Sequence, residues 1–215
     1  MVDAFGIIVS FQSVLLDLQA LPADRATQRC VETLLPRSMS SIAVGSVCLP
    51  PEVLIRSTAP SDATSLSQAI GQVARERRWL AAVEPFTEAE TRMFVQLNRA
   101  VGVPQFVAVY EMAVIGWCDL VRLYSYPGYE HNGRLGMGVI SGWRGRGLGR
   151  ALLDRALEAA PAAGFRRVEL EVYASNTTAL GLYRSRGFEV EGVKRGMRIL
   201  DGQVDDVVCM ARSVA

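Results

Sequence analysis

Alternation and helical spacing divide the chain from residue 53 onward into a continuous succession of strands and helices. VLIRST (53 to 58) reads as a strand, and Pro60 with Ser61-Asp62 signals a helix that runs to about Leu80. Thr87-Glu88-Ala89-Glu90 pairs a threonine N-cap with a glutamate at the third helical position, a capping box, and opens a second helix that ends before Gly102. QFVAVYEM (105 to 112) and AVIGWCDLVRLYSY (113 to 126) are rich in β-branched and aromatic residues and predict two strands joined by a tight connection. RLGMGVI (134 to 140) is the next strand. Leu148, Leu152, Ala156 and Ala160 then share one face of a helix that Pro161 and Gly164 bring to an end. Val168, Leu170 and Val172 alternate with Glu169, Glu171 and Tyr173, which marks a strand with one wetter face. A helix from about Thr177 to Arg186 is capped by Gly187, and Asp201-Gly202 joins FEVEGVKRGMRIL to QVDDVVCMAR as a hairpin. No internal repeat interrupts this order.

The amino-terminal part reads differently. Residues 4 to 16 are uncharged and apolar, but Asp3 precedes them and the first basic residue is Arg25, so a secretory signal is not indicated. The run is also shorter than the roughly 20 residues that span a bilayer. Val14, Leu18 and Leu21 fall on one helical face. Residues 1–52 are therefore expected to be an extension, partly helical or poorly ordered, and residues 53–215 the main domain.

Charge narrows the field of partners. With 23 Lys+Arg against 22 Asp+Glu in 215 residues, the chain lacks the basic surplus of a dedicated nucleic-acid binder. Lys194 is the single lysine, a bias that a need for positive charge would not produce. Cys30, Cys48, Cys118 and Cys209 are widely spaced without a C-x-x-C, and His131 is the only histidine, so the sequence offers neither a zinc nor a redox motif. No metal is expected, and a reduced, cytoplasmic setting fits the cysteine usage.

The informative segment is Arg144-Gly145-Arg146-Gly147-Leu148-Gly149-Arg150, between a strand and an amphipathic helix. Glycines let N–H groups converge closely on a ligand, and a helix start adds free donors and partial positive charge, which together suit a pyrophosphate. A dinucleotide fingerprint starting at Gly145 would need Gly or Ala at 150, where Arg150 stands, and a Walker loop would need a lysine that the segment lacks. Gly136 and Gly138, inside the preceding strand, point to a close approach there, for which a ligand is the expected cause.

Arg-x-x-Gly-x-Gly, followed by Asn176 and by Leu182-Tyr183-Arg184-Ser185-Arg186-Gly187-Phe188, resembles the GNAT superfamily of N-acetyltransferases over roughly residues 53 to 211. The resemblance implies a mixed, mostly antiparallel central sheet with a splayed strand pair and helices on both faces. It implies acetyl-CoA as co-substrate, with the pantetheine arm along Met137, Gly138 and Val139 and the pyrophosphate on Arg144, Gly145, Arg146, Gly147, Leu148, Gly149 and Arg150. Asn176 would touch the coenzyme while capping its helix. Tyr183 would protonate the leaving thiolate, and the N–H near Val139 would stabilise the oxyanion.

The implied activity is direct acetyl transfer in a ternary complex to a primary amine of a small molecule, amino acid or protein N-terminus. Neither nucleic acid nor membrane is an expected partner, and a homodimer stays open. The alternative class is a non-catalytic CoA-binding sensor or scaffold. A hydrolase or nucleotide-binding enzyme is disfavoured by the failed motifs. For the general base the sequence offers only Glu130, His131 and Glu84, and for walls of the acceptor pocket Trp79, Phe86, Trp117 and Tyr124.

Overall fold

The computed structural model describes residues 49–122 and 126–214. The extension up to residue 48, with its expected helical face, and Tyr124 lie outside the described residues. The elements are β1 (Leu54–Ser57), α1 (Ala63–Arg75), α2 (Glu88–Ala100), β2 (Gln105–Tyr110), β3 (Ala113–Arg122), β4 (Asn132–Val139), α3 (Leu148–Ala159), β5 (Arg167–Tyr173), α4 (Thr177–Ser185), β6 (Glu189–Leu200) and β7 (Gln203–Ser213). The strands form one sheet in the order β1-β2-β3-β4-β5-β7-β6. Every neighbouring pair is antiparallel except β4 with β5. This is the mixed, mostly antiparallel sheet expected from the sequence.

Tight turns set the antiparallel registers. Glu111 and Met112 both take positive φ between β2 and β3, and Asp201 and Gly202 do so between β6 and β7, the backbone signature of two-residue hairpin connections. A bulge at Ala108/Val109 re-aims β3, so that Val114, Trp117 and Val121 face one side of the sheet while Ile115, Cys118 and Leu120 face the other. On the front face, α1 and α2 bury Leu66, Ile70, Val73 and Val95 against Val107, Val114 and Trp117. On the back face, α3 and α4 bury Leu148, Leu152, Leu153, Leu180 and Tyr183 against Cys118, Leu120, Leu170, Val172 and Met210. The expected apolar face of α3, with Leu148, Leu152, Ala156 and then Ala160, is fully enclosed.

The first helix departs from the sequence reading. It starts at Ala63 after a single 3₁₀ turn, Pro60–Asp62, and stops at Arg75 rather than near Leu80. Asp62 does not cap it; the carboxylate accepts from Ala59 N–H at 2.8 Å and pairs with Arg56 in a two-pronged ion pair at 2.6 and 2.7 Å. Neither glycine nor proline stops the helix. Arg77 instead turns to a left-handed φ of 54° and forms two bonds to Asp201 at 2.8 and 2.7 Å, while Arg198 donates to the Arg77 carbonyl. Leu80 is buried as a loop residue. The second helix agrees with its sequence signal: Glu90 N–H donates to Thr87 Oγ1 at 3.2 Å, and Thr87 N–H donates back to the Glu90 carboxylate at 2.8 Å.

The two glycines of β4 have a packing role. A Cβ on Gly138 would lie 2.3 Å from Cη2 of Trp117, and one on Gly136 would lie 3.1 Å from Oδ1 of Asp119. The close approach expected from sequence is therefore made by two β3 side chains lying across β4. Replacing Gly138 by alanine should force the buried indole to shift and destabilise the fold by about 1 to 3 kcal/mol. Urea unfolding checks this, and the same substitution introduced into a Trp117→Leu background should cost less than half as much.

Candidate active site

β4 and β5 pair only from Asn132 to Arg134 against Arg167 to Glu169. β4 then continues to Val139 and β5 to Tyr173 without pairing, so the strands part and leave a gap in the centre of the sheet. On its other edge β4 stays bound to β3 along its length, and Ile140 N–H donates to Ile115 O at 3.1 Å. Ladder alternation then turns the N–H groups of Val139 and Met137 away from β3 and into the gap, where no strand among the described residues receives them. The Val139 carbonyl points the same way and accepts from Arg144 Nε at 2.8 Å. Behind the gap, the side chains of Met137, Val139 and Leu182 come together beside Gly149 on the first turn of α3. An extended ligand entering here would find backbone donors on one edge and apolar cover behind.

The loop before α3 supplies the polar end. Gly145 and Gly147 have φ of 73° and 79°, and Gly147 is the left-handed N-cap residue of α3. The N–H groups from Gly145 to Arg150 donate to no backbone carbonyl among the described residues, and the first helical bond is Ala151 N–H to Gly147 O at 3.0 Å. A Cβ on Gly145 would meet nothing within 4 Å, so the concavity is open to a ligand. Six neighbouring donors and the positive end of the α3 dipole fit a pyrophosphate.

The three arginines of the loop are disposed differently. Arg144 is held by Glu76 at 2.7 and 2.6 Å and by the Val139 carbonyl, so it braces the loop against the end of α1. Glu76 also accepts from Trp79 Nε1 at 2.6 Å, and the Arg144 guanidinium holds its carboxyl below the usual range. Arg146 lies over the Trp143 ring, and neither Arg146 nor Arg150 takes part in an ion pair among the described residues. Asn176 caps α4 by accepting Ala179 N–H at 3.1 Å, and its side-chain amide donors have no partner among the described residues.

Tyr183 is buried on the back face, edge-on to Phe188 with centroids 5.7 Å apart. Burial, reinforced by the neighbouring Cys118 thiol, raises its pKa and keeps the phenol protonated. Glu130 and His131 lie exposed at the start of β4, beside the zipped segment and at the opposite end from the loop, so the structure does not bring them to the gap. Glu84 is exposed in the α1–α2 connection. Of the aromatic residues, Trp117 is buried under α1 and α2, Phe86 packs beside it and Trp79 stands next to Glu76 and Arg144.

Sequence reasoning missed the polar strip on the front face. Asp119, in the middle of β3, is 8% exposed and its Oδ1 has no hydrogen-bond partner among the described residues. Burial alone pushes its pKa up to about 7. Gln105 faces it across β2, Gly136 across β4, and Arg134 follows two residues away, paired with Glu169 at 2.9 Å and Glu171 at 3.6 Å. Lys194 closes this cluster on Glu171 at 2.6 Å. The signal was available: in AVIGWCDLVR a charged residue occupies a position where alternation on a central strand calls for an apolar one.

The chain matches the Acetyltransferase (GNAT) family over residues 72–188, more than half of its length, and belongs to that family. It is an acetyl-CoA-dependent N-acetyltransferase. The Bacillus subtilis protein named "Putative phosphinothricin acetyltransferase YwnH" is 29% identical over 136 residues, 63% of this chain and 83% of that protein. The L-amino acid N-acetyltransferase AaaT of Escherichia coli is 30% identical over 112 residues, 52% of this chain and 68% of that protein. Among solved structures, a GNAT superfamily phosphinothricin acetyltransferase from Sinorhizobium meliloti in complex with acetyl-CoA superposes with a TM-score of 0.70 at 23% identity, covering 75% of this chain and 88% of that one.

Asp119 has a thermodynamic consequence that stability measurements read directly. Its carboxyl holds a proton up to about pH 7 in the folded chain but only to about 3.9 when unfolded, so the folded state binds more protons between those values. Its contribution to stability therefore falls as pH rises through that window, by up to roughly 1.4 kcal/mol per pH unit. Asp119→Asn removes the titration. Urea unfolding should show the variant gaining on the wild type by several kcal/mol between pH 4 and pH 8, whereas a constant difference would mean that the carboxyl titrates normally.

Proposed function

We propose that the chain transfers the acetyl group of acetyl-CoA directly to the primary amine of a small acceptor, with a free amino acid as the acceptor of first choice. The observation that carries the reading is the continuity of the open β4 edge with the donor-lined loop at the start of α3. One extended ligand with a diphosphate at one end and an amide-bearing arm fits both parts. The names of the two relatives above, one acting on L-amino acids, favour a small amine over a protein terminus.

In this reading the N–H groups of Gly145, Arg146, Gly147, Leu148, Gly149 and Arg150 hold the pyrophosphate, and Arg146 and Arg150 add charge. Arg144 holds the loop in place through Glu76. Met137, Gly138 and Val139 line the arm, and the side-chain amide of Asn176 donates to it. Bound acetyl-CoA supplies the activated acyl carbon and a thiolate leaving group. The Val139 N–H, aimed into the gap, stabilises the negative charge that develops on the acyl oxygen as the amine attacks. Tyr183, kept protonated by its burial, gives its proton to the departing sulfur; donation must be concerted with departure, because a free phenolate is unfavourable in that surrounding.

Two measurements test these assignments. Release of CoA thiol should follow addition of at least one L-amino acid in a panel that also holds aliphatic amines and amino-terminal peptides; tight CoA binding with no release from any amine would replace the reading by that of a sensor. Tyr183→Phe should leave the melting temperature and CoA affinity within narrow limits while lowering turnover by about 10² or more. Unchanged turnover, with acetyl transfer shown to be rate-limiting, would return Tyr183 to the role of a packed aromatic.

A further inference from the structure

Four buried side-chain polar atoms lack a partner among the described residues: Asn98 Nδ2, Gln105 Oε1, Asp119 Oδ1 and Arg134 Nε. All four belong to the front face. Gln105 and Asp119 are register partners on β2 and β3, Asp119 and Gly136 are register partners on β3 and β4, and Arg134 shares the Gly136 face by the two-residue period. Asn98 extends the inward side of α2, one turn beyond Phe94 and Val95, which pack on β3. An unmet polar group in the interior costs about 1 to 3 kcal/mol, so their gathering on one face marks a place built to hold water or substrate.

We propose that Asp119 is the proton acceptor for the acceptor amine, reached through one water lying over Gly136. The inference rests on the acetyl-transfer reading. Gly136 is what makes the path possible: a side chain there would begin 3.1 Å from Oδ1, on the face of β4 that the carboxylate overhangs. Pairing with β5 stops at Arg134, so that edge opens immediately beyond, about one strand spacing of 4.8 Å from β3. One bound water spans such a distance. An ammonium group at the gap passes a proton to this water, which passes one of its own to Asp119. The N–H bonding pair stays on nitrogen, giving the neutral amine that attacks, and the carboxylic acid later loses its proton to solvent.

The surroundings leave the carboxylate free for this task. Asn98 from α2 and Gln105 from β2 are uncharged, Gly136 has no side chain, and Cys118 beside it on β3 faces the back. Arg134, the cation on this face of β4, is turned to Glu169 and Glu171. A proton acceptor matched to neutral pH requires burial without a paired cation, and Asp119 has both.

The test uses the full chain and the L-amino acid that proves best in the panel, with kcat/KM measured from pH 5.5 to 9.5. The wild type should show an acidic limb with a midpoint near 7, and Asp119→Asn should lose that limb and fall about 10² to 10³ at pH 8 while binding CoA within twofold of the wild type. In Asp119→Gly, added formate should restore part of the rate. A retained limb, or a variant within twofold of the wild type, overturns the proposal. Should the variants fold poorly, wild-type protein carrying ¹³C-labelled aspartate decides: the proposal requires one carboxyl resonance titrating near 7, and titration of every aspartate near 4 overturns it. That measurement needs no turnover, so failure of the acetyl-transfer reading, seen as an inactive wild type in the panel, is distinguished from failure of the Asp119 assignment.

Discussion

The parting of β4 from β5 after three residue pairs is the constraint on which the site depends. A sheet interior ordinarily satisfies both edges of every strand, and leaving one edge bare in the middle of a seven-stranded sheet costs several hydrogen bonds. The cost is tolerable because the remainder of the sheet is tightly tied. β3 holds β4 from Gly133 to Val139, β7 holds β5, and the enclosed back core of α3 and α4 joins the two halves from behind. In the proposed reading the bare edge is the template for an extended ligand, while the strands that border it stay fixed.

Position along β4 then sorts the chemistry. At its carboxyl end the chain turns into the glycine loop and the start of α3, where free N–H groups collect. At the point of divergence the front face carries Asp119, Gly136 and Arg134, and the back face carries Met137 and Leu182. Polar and apolar sides of one strand are separated by the two-residue period, so one segment of eight residues provides an apolar wall, a row of donors and an approach for protons.

Much of this was legible in the chain. Turn residues, the Thr87 capping box, the alternation in 168 to 173 and the apolar face of α3 fixed most elements, and the glycine-arginine loop marked the donor-lined start of α3. The illegible part was long-range. The end of α1 is set by Asp201 and Arg198, more than a hundred residues away in sequence, and no local stop signal exists. The partner of Arg144 is Glu76, on a different element. For Gly136 and Gly138 the pattern implied a close approach, but only the register of β3 shows that Trp117 and Asp119 make it. Asp119 itself broke the apolar pattern, yet its lack of a paired cation among the described residues is a property of the assembled face.

The ion pair between Lys194 and Glu171 bears on the chemical safety of the protein. Acetyl thioesters modify exposed amines without catalysis, whereas guanidinium groups resist them. This chain carries 23 basic residues of which one is a lysine, and the ammonium of that lysine is engaged by the Glu171 carboxylate. An enzyme that works in constant contact with an acylating agent thereby presents almost no side-chain amine for it to consume, and its surface charge persists through repeated turnovers.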